Sequence, residues 1–275
     1  MLNKAPETQD ESTKPAQHLV AVLVAAGSGS RMGGELPKQF QDFAGQPLFA
    51  HSLRTLQESG LVEHVVLVVP AGWEAKIEQQ LQGAAVQVDA IVAGGATRQQ
   101  SVQHGLATIG KQAWPATHVL IHDAARPFVS LEMVRSVVAA VHETGAATLA
   151  IPVSDTLMRA AESTSAANDQ SAQAEELVDR SGMWAIQTPQ VFELTLLLEA
   201  HQHATTASQA TDDGSLVLEL GRKLHFVQGA WWNIKVTHPD DFEKARLIAA
   251  IRRLPATQFP DTAASESASE RGGET

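Results

Sequence analysis

The sequence predicts an α/β fold, doubly wound around a mainly parallel sheet, and three observations carry the prediction. Runs rich in Val, Ile and Leu recur along the chain, segments of helical spacing alternate with them, and a glycine-bearing turn follows the first run. The runs are His18–Ala25, His64–Val69, Val86–Val92, His118–Ile121 and Ala146–Val153, and they read as buried strands. Between them Gln46–Ser59, Gly72–Leu81, Thr97–Ile109 and Ser130–Glu143 read as helices, the last with Ser130 as its N-cap. Each parallel crossover needs such a covering helix, so the alternation implies βαβ units.

Beyond Asp155 the rhythm breaks. Ala160–Glu176 is polar and too poor in apolar surface to order itself, so it reads as a loop or a projecting arm. Helices near Phe192–His203 and Asp212–Leu220, and strands at Leu224–Val227 and Asn233–Val236, follow. A last helix spans Pro239–Leu254: Pro239 suits the first turn, Asp240, Asp241 and Glu243 complement its positive end, and Phe242, Ile248, Ile251 and Leu254 share one face. The expected organisation is a polar N-terminal tail over residues 1–17, one domain over 18–254 with an arm at about 154–185, and a disordered tail over 255–275.

The 275 residues suffice for one large domain, and 44% hydrophobic content is ordinary for a globular protein. Met1–Gln17 lacks the apolar stretch of a signal peptide, and no apolar run reaches the roughly 18 residues of a membrane span. The absence of Cys excludes disulfides, thiolate catalysis and Cys-containing zinc sites, and suits a cytoplasmic location. A formal net charge of -11 argues against broad nucleic-acid binding, which depends on a basic surface. An anionic small ligand therefore needs a local basic pocket.

The segment Ala25-Ala26-Gly27-Ser28-Gly29-Ser30-Arg31-Met32 directly follows the first strand. Small residues at such a turn let backbone N–H groups approach phosphate oxygens. The spacing is not that of a Walker A loop, and Met32 stands where a dinucleotide fingerprint has its third glycine. What remains is a phosphate loop with its own cation, Arg31, followed by Pro37-Lys38-Gln39, a pair of charges suited to a triphosphate undergoing displacement. The competing reading is an ordinary turn with two solvated charges.

Ligands of open α/β sheets sit outside the carboxyl ends of the strands. There stand Gly94-Gly95-Ala96-Thr97-Arg98, which could meet a base or ribose, and His122-Asp123-Ala124-Ala125-Arg126-Pro127, where Asp123 could hold Mg²⁺, or else cap a helix or pair with Arg126. Pro152–Thr156 ends the next strand. Farther on, Arg180 and Lys235 could receive a second phosphate, although a Lys in a strand pattern more often faces solvent. His201 and His203 point to different faces of one helix and read as surface residues.

Those segments, with Ser101-Val102, Asp155-Thr156, Asp179-Arg180, Gln187-Thr188-Pro189-Gln190 and Asn233-Ile234-Lys235-Val236-Thr237, resemble in order and spacing the 2-C-methyl-D-erythritol 4-phosphate cytidylyltransferase family, over about Leu19 to Leu254. The resemblance implies a Rossmann-like, nucleotide-diphospho-sugar transferase fold with a projecting β-arm. It implies an enzyme of non-mevalonate isoprenoid synthesis that joins CTP to methylerythritol phosphate and releases pyrophosphate, with Mg²⁺, as a homodimer. Carried over by motif, Arg31 and Lys38 stabilise the transition state, and Arg180 and Lys235 position the acceptor phosphate. Ala25, Ala26, Gly27, Gly29, Gly95 and Ser101 contact the cytidine nucleotide, Asp123 lies at the metal and sugar region, and Thr156, Thr188 and Thr211 line the acceptor site, which borrows from the neighbouring subunit's arm. Two departures stand out: Met158-Arg159 where relatives often carry Lys, and Ala96 where an acid can occur. A cytidylyltransferase for another polyol phosphate, such as ribitol 5-phosphate, a nicotinamide-dependent reductase and a catalytically idle nucleotide sensor remain as alternatives.

Overall fold

The computed structural model describes residues 17–27, 36–82, 86–161, 172–204 and 210–252. The expected tails therefore lie outside the described residues, Gln17 apart, as do Gly29 and Arg31.

The first apolar run forms β1 (Leu19–Val24). Leu19, Ala21 and Leu23 enter one apolar cluster and Val20 and Val22 the other, because successive side chains of a strand point to opposite faces. Burial on both sides is why the run is continuously apolar. A short hairpin, β2 (Asp42–Phe43) and β3 (Gln46–Pro47), turns through Ala44 and Gly45 at positive φ and leads into α1 (Leu48–Glu58). The expected helix from Gln46 thus starts two residues late, since Gln46 pairs across the hairpin with Phe43.

The chain continues through β4 (Val62–Val69), α2 (Glu74–Leu81), β5 (Ala90–Ala93), α3 (Arg98–Gln112), β6 (His118–Asp123), α4 (Leu131–Thr144) and β7 (Ala146–Pro152). The expected strand from Val86 is shortened to β5: Asp89 turns its carboxylate onto the Val65 N–H at 2.7 Å before regular pairing begins. Thr97 closes a capping box with Gln100 at the head of α3, and Ser130 caps α4 as expected.

The polar stretch after Asp155 is partly ordered. β8 (Leu157–Ala160) and β9 (Ala174–Val178) pair antiparallel as a separate two-stranded ribbon. Next comes β10 (Trp184–Glu193), a ten-residue strand absent from the expected elements. It contains Pro189, which cannot donate to a ladder, and its register shifts between Ile186 and Gln190 to pass that residue. Phe192 and Glu193 therefore end a strand, and α5 (Leu194–His203) follows. α6 (Asp213–Glu219), capped by Asp212, β11 (His225–Gln228) and α7 (Asp240–Ile251) complete the described chain.

Asn233–Val236, expected as a strand, is an irregular segment. The Asn233 side chain is buried and donates to the Thr188 carbonyl at 3.0 Å, and the Val236 N–H donates to the Ala125 carbonyl at 2.9 Å, so the segment is strapped to loops instead of a ladder. On α7, Ile248 is buried and Phe242 partly so, but Ile251 is 69% exposed, and Leu254 lies outside the described residues. The helix packs through Ala245, Ile248 and Ala249, a face rotated from the expected one.

The seven-stranded sheet has the order β11-β7-β10-β6-β1-β4-β5. All neighbours are parallel except β10, which runs antiparallel between β6 and β7. From β1 the chain winds outward through β4 to β5, then returns to place β6 on the other side of β1. That reversal is a topological switch point, and the register sets Val24 beside Asp123 at its carboxyl edge. No helix among the described residues is long and apolar enough to cross a membrane.

Candidate active site

A cleft of about 510 Å³ opens at this switch point. Its first wall is the loop after β1. Backbone bonds hold the loop at both sides, from Ala25 N–H to the Val68 carbonyl at 2.7 Å and from Ala124 N–H to the Val24 carbonyl at 3.0 Å. Below it Gln39, 2% exposed, donates its amide to the carbonyls of Ala25 and of Gly27, the latter at 2.9 Å. The same short helical turn, Lys38–Phe40, is anchored by Phe40 against the Phe49 and Trp73 rings, and it brings Lys38 to the cleft beside Ala25, Ala26 and Gly27.

The second wall is Gly94–Thr97 with the first turn of α3. A Cβ on Gly94 would overlap the Ala26 Cβ and lie 2.8 Å from Ser101 Oγ, so only glycine lets the two walls meet this closely. The Gly95 N–H donates to Ser101 Oγ at 3.1 Å, and the Ala96 and Thr97 N–H groups donate to Gln100 Oε1 at 2.9 and 3.3 Å. The N–H groups of Gly95, Ala96 and Thr97 are thus already satisfied within the wall.

Charge gathers on the floor. Asp123, at the end of β6, receives Arg98 Nε on Oδ1 at 3.1 Å and Lys235 Nζ on Oδ2 at 2.8 Å. Arg126, the partner in the competing reading of Asp123, instead donates to the Asn233 carbonyl at 2.7 Å and acts on Asp123 through its field. Burial alone would raise the Asp123 pKa, but Arg98, Lys235 and Arg126 together hold it far below the usual carboxylate range. The carboxylate is ionised at every ordinary pH.

Behind Asp123 stands a buried support. Thr188 Oγ1 accepts from the Asp123 N–H at 3.1 Å and lies 2.9 Å from His122 Nδ1, while His122 Nε2 lies 3.2 Å from the Arg126 carbonyl. The pattern fits a neutral imidazole that donates from Nε2 and accepts at Nδ1. Burial, opposed by the Asp123 charge, lowers the His122 pKa from 6.5 to about 4.

Of the expected site residues, Ala25, Ala26, Gly27, Lys38, Gly95, Ser101, Asp123 and Lys235 line this one cleft. Gly29 and Arg31 fall outside the described residues. Thr188 is 4% exposed and serves Asp123 from behind instead of lining the cleft. Thr156, Arg180 and Thr211 are exposed and do not line it: Thr156 and Arg180 flank the ribbon strands β8 and β9, and Thr211 precedes α6.

Arg98 and Thr237 line the cleft without having been assigned individual roles, although both stood inside quoted motifs. The reading of His201 as a surface residue is overturned. It is 6% exposed and its Nε2 lies 2.9 Å from Asp213 Oδ1, because α5 packs against α6 and turns that side chain inward; His203 is exposed, as expected.

Residues 19–250 match the family profile described as "IspD: 2-C-methyl-D-erythritol 4-phosphate cytidylyltransferase". A protein of that name from Geobacillus kaustophilus is 38% identical over 234 residues, covering 84% of this chain and 97% of the relative. One from Thermotoga neapolitana is 39% identical over 230 residues, covering 84% and 96%. The crystal structure of the 2-C-methyl-D-erythritol 4-phosphate cytidylyltransferase from Thermus thermophilus superimposes with a TM-score of 0.63 at 32% identity, covering 86% of this chain and 99% of that one.

Proposed function

Because the chain belongs to the 2-C-methyl-D-erythritol 4-phosphate cytidylyltransferase family, we propose how its own residues divide the work of that reaction. The enzyme joins CTP and 2-C-methyl-D-erythritol 4-phosphate to give 4-diphosphocytidyl-2-C-methyl-D-erythritol and pyrophosphate, a step of non-mevalonate isoprenoid synthesis. An oxygen of the acceptor phosphate attacks the α-phosphorus of CTP. A new P–O bond forms, the bond between the α-phosphorus and the bridging oxygen breaks, and pyrophosphate leaves with that electron pair. The attacking oxygen is ionised near neutral pH, so no general base is required. Catalysis then rests on alignment and on cancelling charge at the α-phosphate and the leaving group.

In this reading Ala25, Ala26, Gly27, Gly29, Gly95 and Ser101 hold the cytidine nucleotide, and Arg31 and Lys38 neutralise the transition state. Lys235 receives the acceptor phosphate. The observation that carries the reading is the convergence of Lys38, Arg98, Asp123 and Lys235 on one cleft at the switch point.

Asp123 fits a hard divalent cation. It offers ionised oxygen, but Oδ1 already holds Arg98 and Oδ2 Lys235, so a metal would share the carboxylate with them; Mg²⁺ commonly takes one or two protein carboxylates and completes its shell with phosphates and water. No cluster of three or more His, Cys, Asp or Glu side chains that could hold a metal by itself occurs among the described residues. Bound at Asp123, Mg²⁺ would draw charge from the triphosphate. Arg180 and Thr156 adjoin the exposed ribbon, which supports a homodimer in which each arm completes the neighbour's acceptor site with Thr211. Thr188 acts through Asp123. A chain without Cys is compatible with a cytoplasmic location.

The test is pyrophosphate release from CTP, ATP, UTP and GTP with methylerythritol phosphate and ribitol 5-phosphate as acceptors. Release with CTP and methylerythritol phosphate, and a loss of about 100- to 1000-fold in kcat for Arg31→Ala and Lys38→Ala, is expected. Unchanged turnover in both variants overturns the assignment of these two residues.

A further inference from the structure

Asp213 lies outside the cleft, 1% exposed at the start of α6, yet it reaches the cleft wall through a single guanidinium. Arg98 donates from Nη1 to Asp213 Oδ2 at 2.7 Å and from Nε to Asp123 Oδ1 at 3.1 Å. On its far side Asp213 Oδ1 is 2.9 Å from His201 Nε2. One buried line therefore runs from α5 through α6 and α3 to the end of β6.

Two features separate this line from ordinary packing. Burying an ion pair gains little or nothing over apolar side chains of the same volume, so stability alone does not account for a carboxylate here. And a guanidinium held by one carboxylate can swing about that bond, whereas one held at Nη1 and at Nε is fixed in plane and rotation. Its third nitrogen, Nη2, is buried and has no hydrogen-bond partner.

We propose that Asp213 is a positioning residue for the transfer reaction, fixing Arg98 so that Asp123 keeps one orientation toward the reacting phosphates. The inference rests on the reading that Asp123 borders those phosphates. Asp213 also takes a share of the Arg98 charge, which leaves Oδ2 of Asp123 to Lys235.

A double-mutant cycle tests it, with Asp213→Asn, Arg98→Gln and the double variant assayed for kcat and KM and followed by thermal unfolding. Asp213→Asn is expected to lower kcat by about 10-fold or more in the wild-type background and by no more than about 2-fold in the Arg98→Gln background. Losses in kcat that simply multiply overturn the proposal, because a purely structural role for Asp213 does not require Arg98. Should Asp213→Asn fail to fold, Asp213→Ser, whose smaller side chain leaves room for water, enters the same cycle with the same two outcomes. Asp123→Asn separates the layers: if it leaves turnover unchanged, the reading of the cleft fails; if it abolishes turnover while the cycle is multiplicative, only the role of Asp213 fails.

Discussion

Lys235 Nζ lies 2.8 Å from Asp123 Oδ2, an ion pair that joins the irregular segment before α7 to the end of β6 across the cleft floor. The two partners differ in burial: the Lys235 side chain is 38% exposed and that of Asp123 9%. Replacing each should therefore separate catalysis from stability. Lys235→Met is expected to lower kcat/KM by about 100-fold while costing less than about 1 kcal/mol of stability, since a part-exposed pair is screened by solvent. Asp123→Asn should lower turnover comparably and cost about 3 kcal/mol, because part-buried Arg126 loses the carboxylate whose charge offsets its desolvation and part-buried Arg98 keeps only Asp213. Pyrophosphate release and denaturant unfolding measure the two quantities.

Thr188→Val should weaken the same carboxylate without touching substrate. The Asp123 N–H loses its acceptor and His122 Nδ1 loses its neighbour, leaving buried polar groups unpaired at a cost of about 1–3 kcal/mol. A fall in kcat with an unfolding midpoint lowered to match is the expected outcome. A variant as active and as stable as the parent would show that Thr188 does not support Asp123.

Gly94→Ala is expected to weaken nucleotide binding while leaving the sheet intact. The added Cβ would collide with the Ala26 Cβ and crowd Ser101 Oγ, so the two walls must part. Calorimetric titration with CTP should show at least about a 10-fold loss of affinity, a discrimination of about 1.4 kcal/mol. Circular dichroism should be unchanged.

Acid should destabilise the folded enzyme in two stages of the same sign. Burial lowers the pKa of both His51 and His122 from 6.5 to about 4, so between these values the unfolded chain binds more protons and stability falls as pH falls. Below about pH 4 a second loss begins, because Asp123 and Asp213 have folded-state values depressed below 3.8 and surrender their ion pairs on protonation. Unfolding midpoints followed from pH 7 to pH 3 should decline throughout, and His51→Gln should flatten the slope between pH 6.5 and 4.

The ribbon of β8 and β9 carries Met158 and Leu177 opposite one another, 58% and 64% exposed. A two-stranded ribbon is marginal by itself in water, so covering this apolar pair is the driving force proposed for dimerisation. Met158→Glu combined with Leu177→Glu should halve the mass in sedimentation and raise the KM for the acceptor, with CTP affinity retained. A dimer that survives both charges would contradict the role given to the arm.

The sequence by itself determined the strand and helix alternation, the placing of glycine turns at strand ends and the family, because these depend on local spacing: Leu19–Val24 is apolar on both faces, and Ser130 caps the helix that follows it. The short hairpin before α1 and the strand around Pro189 escaped such reasoning, since a cross-strand neighbour creates the first and a register shift accommodates the second. Tertiary structure alone decided which charges meet. Arg98 and Asp213 are 115 residues apart in sequence and 2.7 Å apart in space, and His201, polar and placed on a helix, turns inward only because α6 covers it. A charged residue in a linear pattern carries no record of its partner. Burial beside one opposite charge makes it part of a site, and that is settled by how the sheet winds.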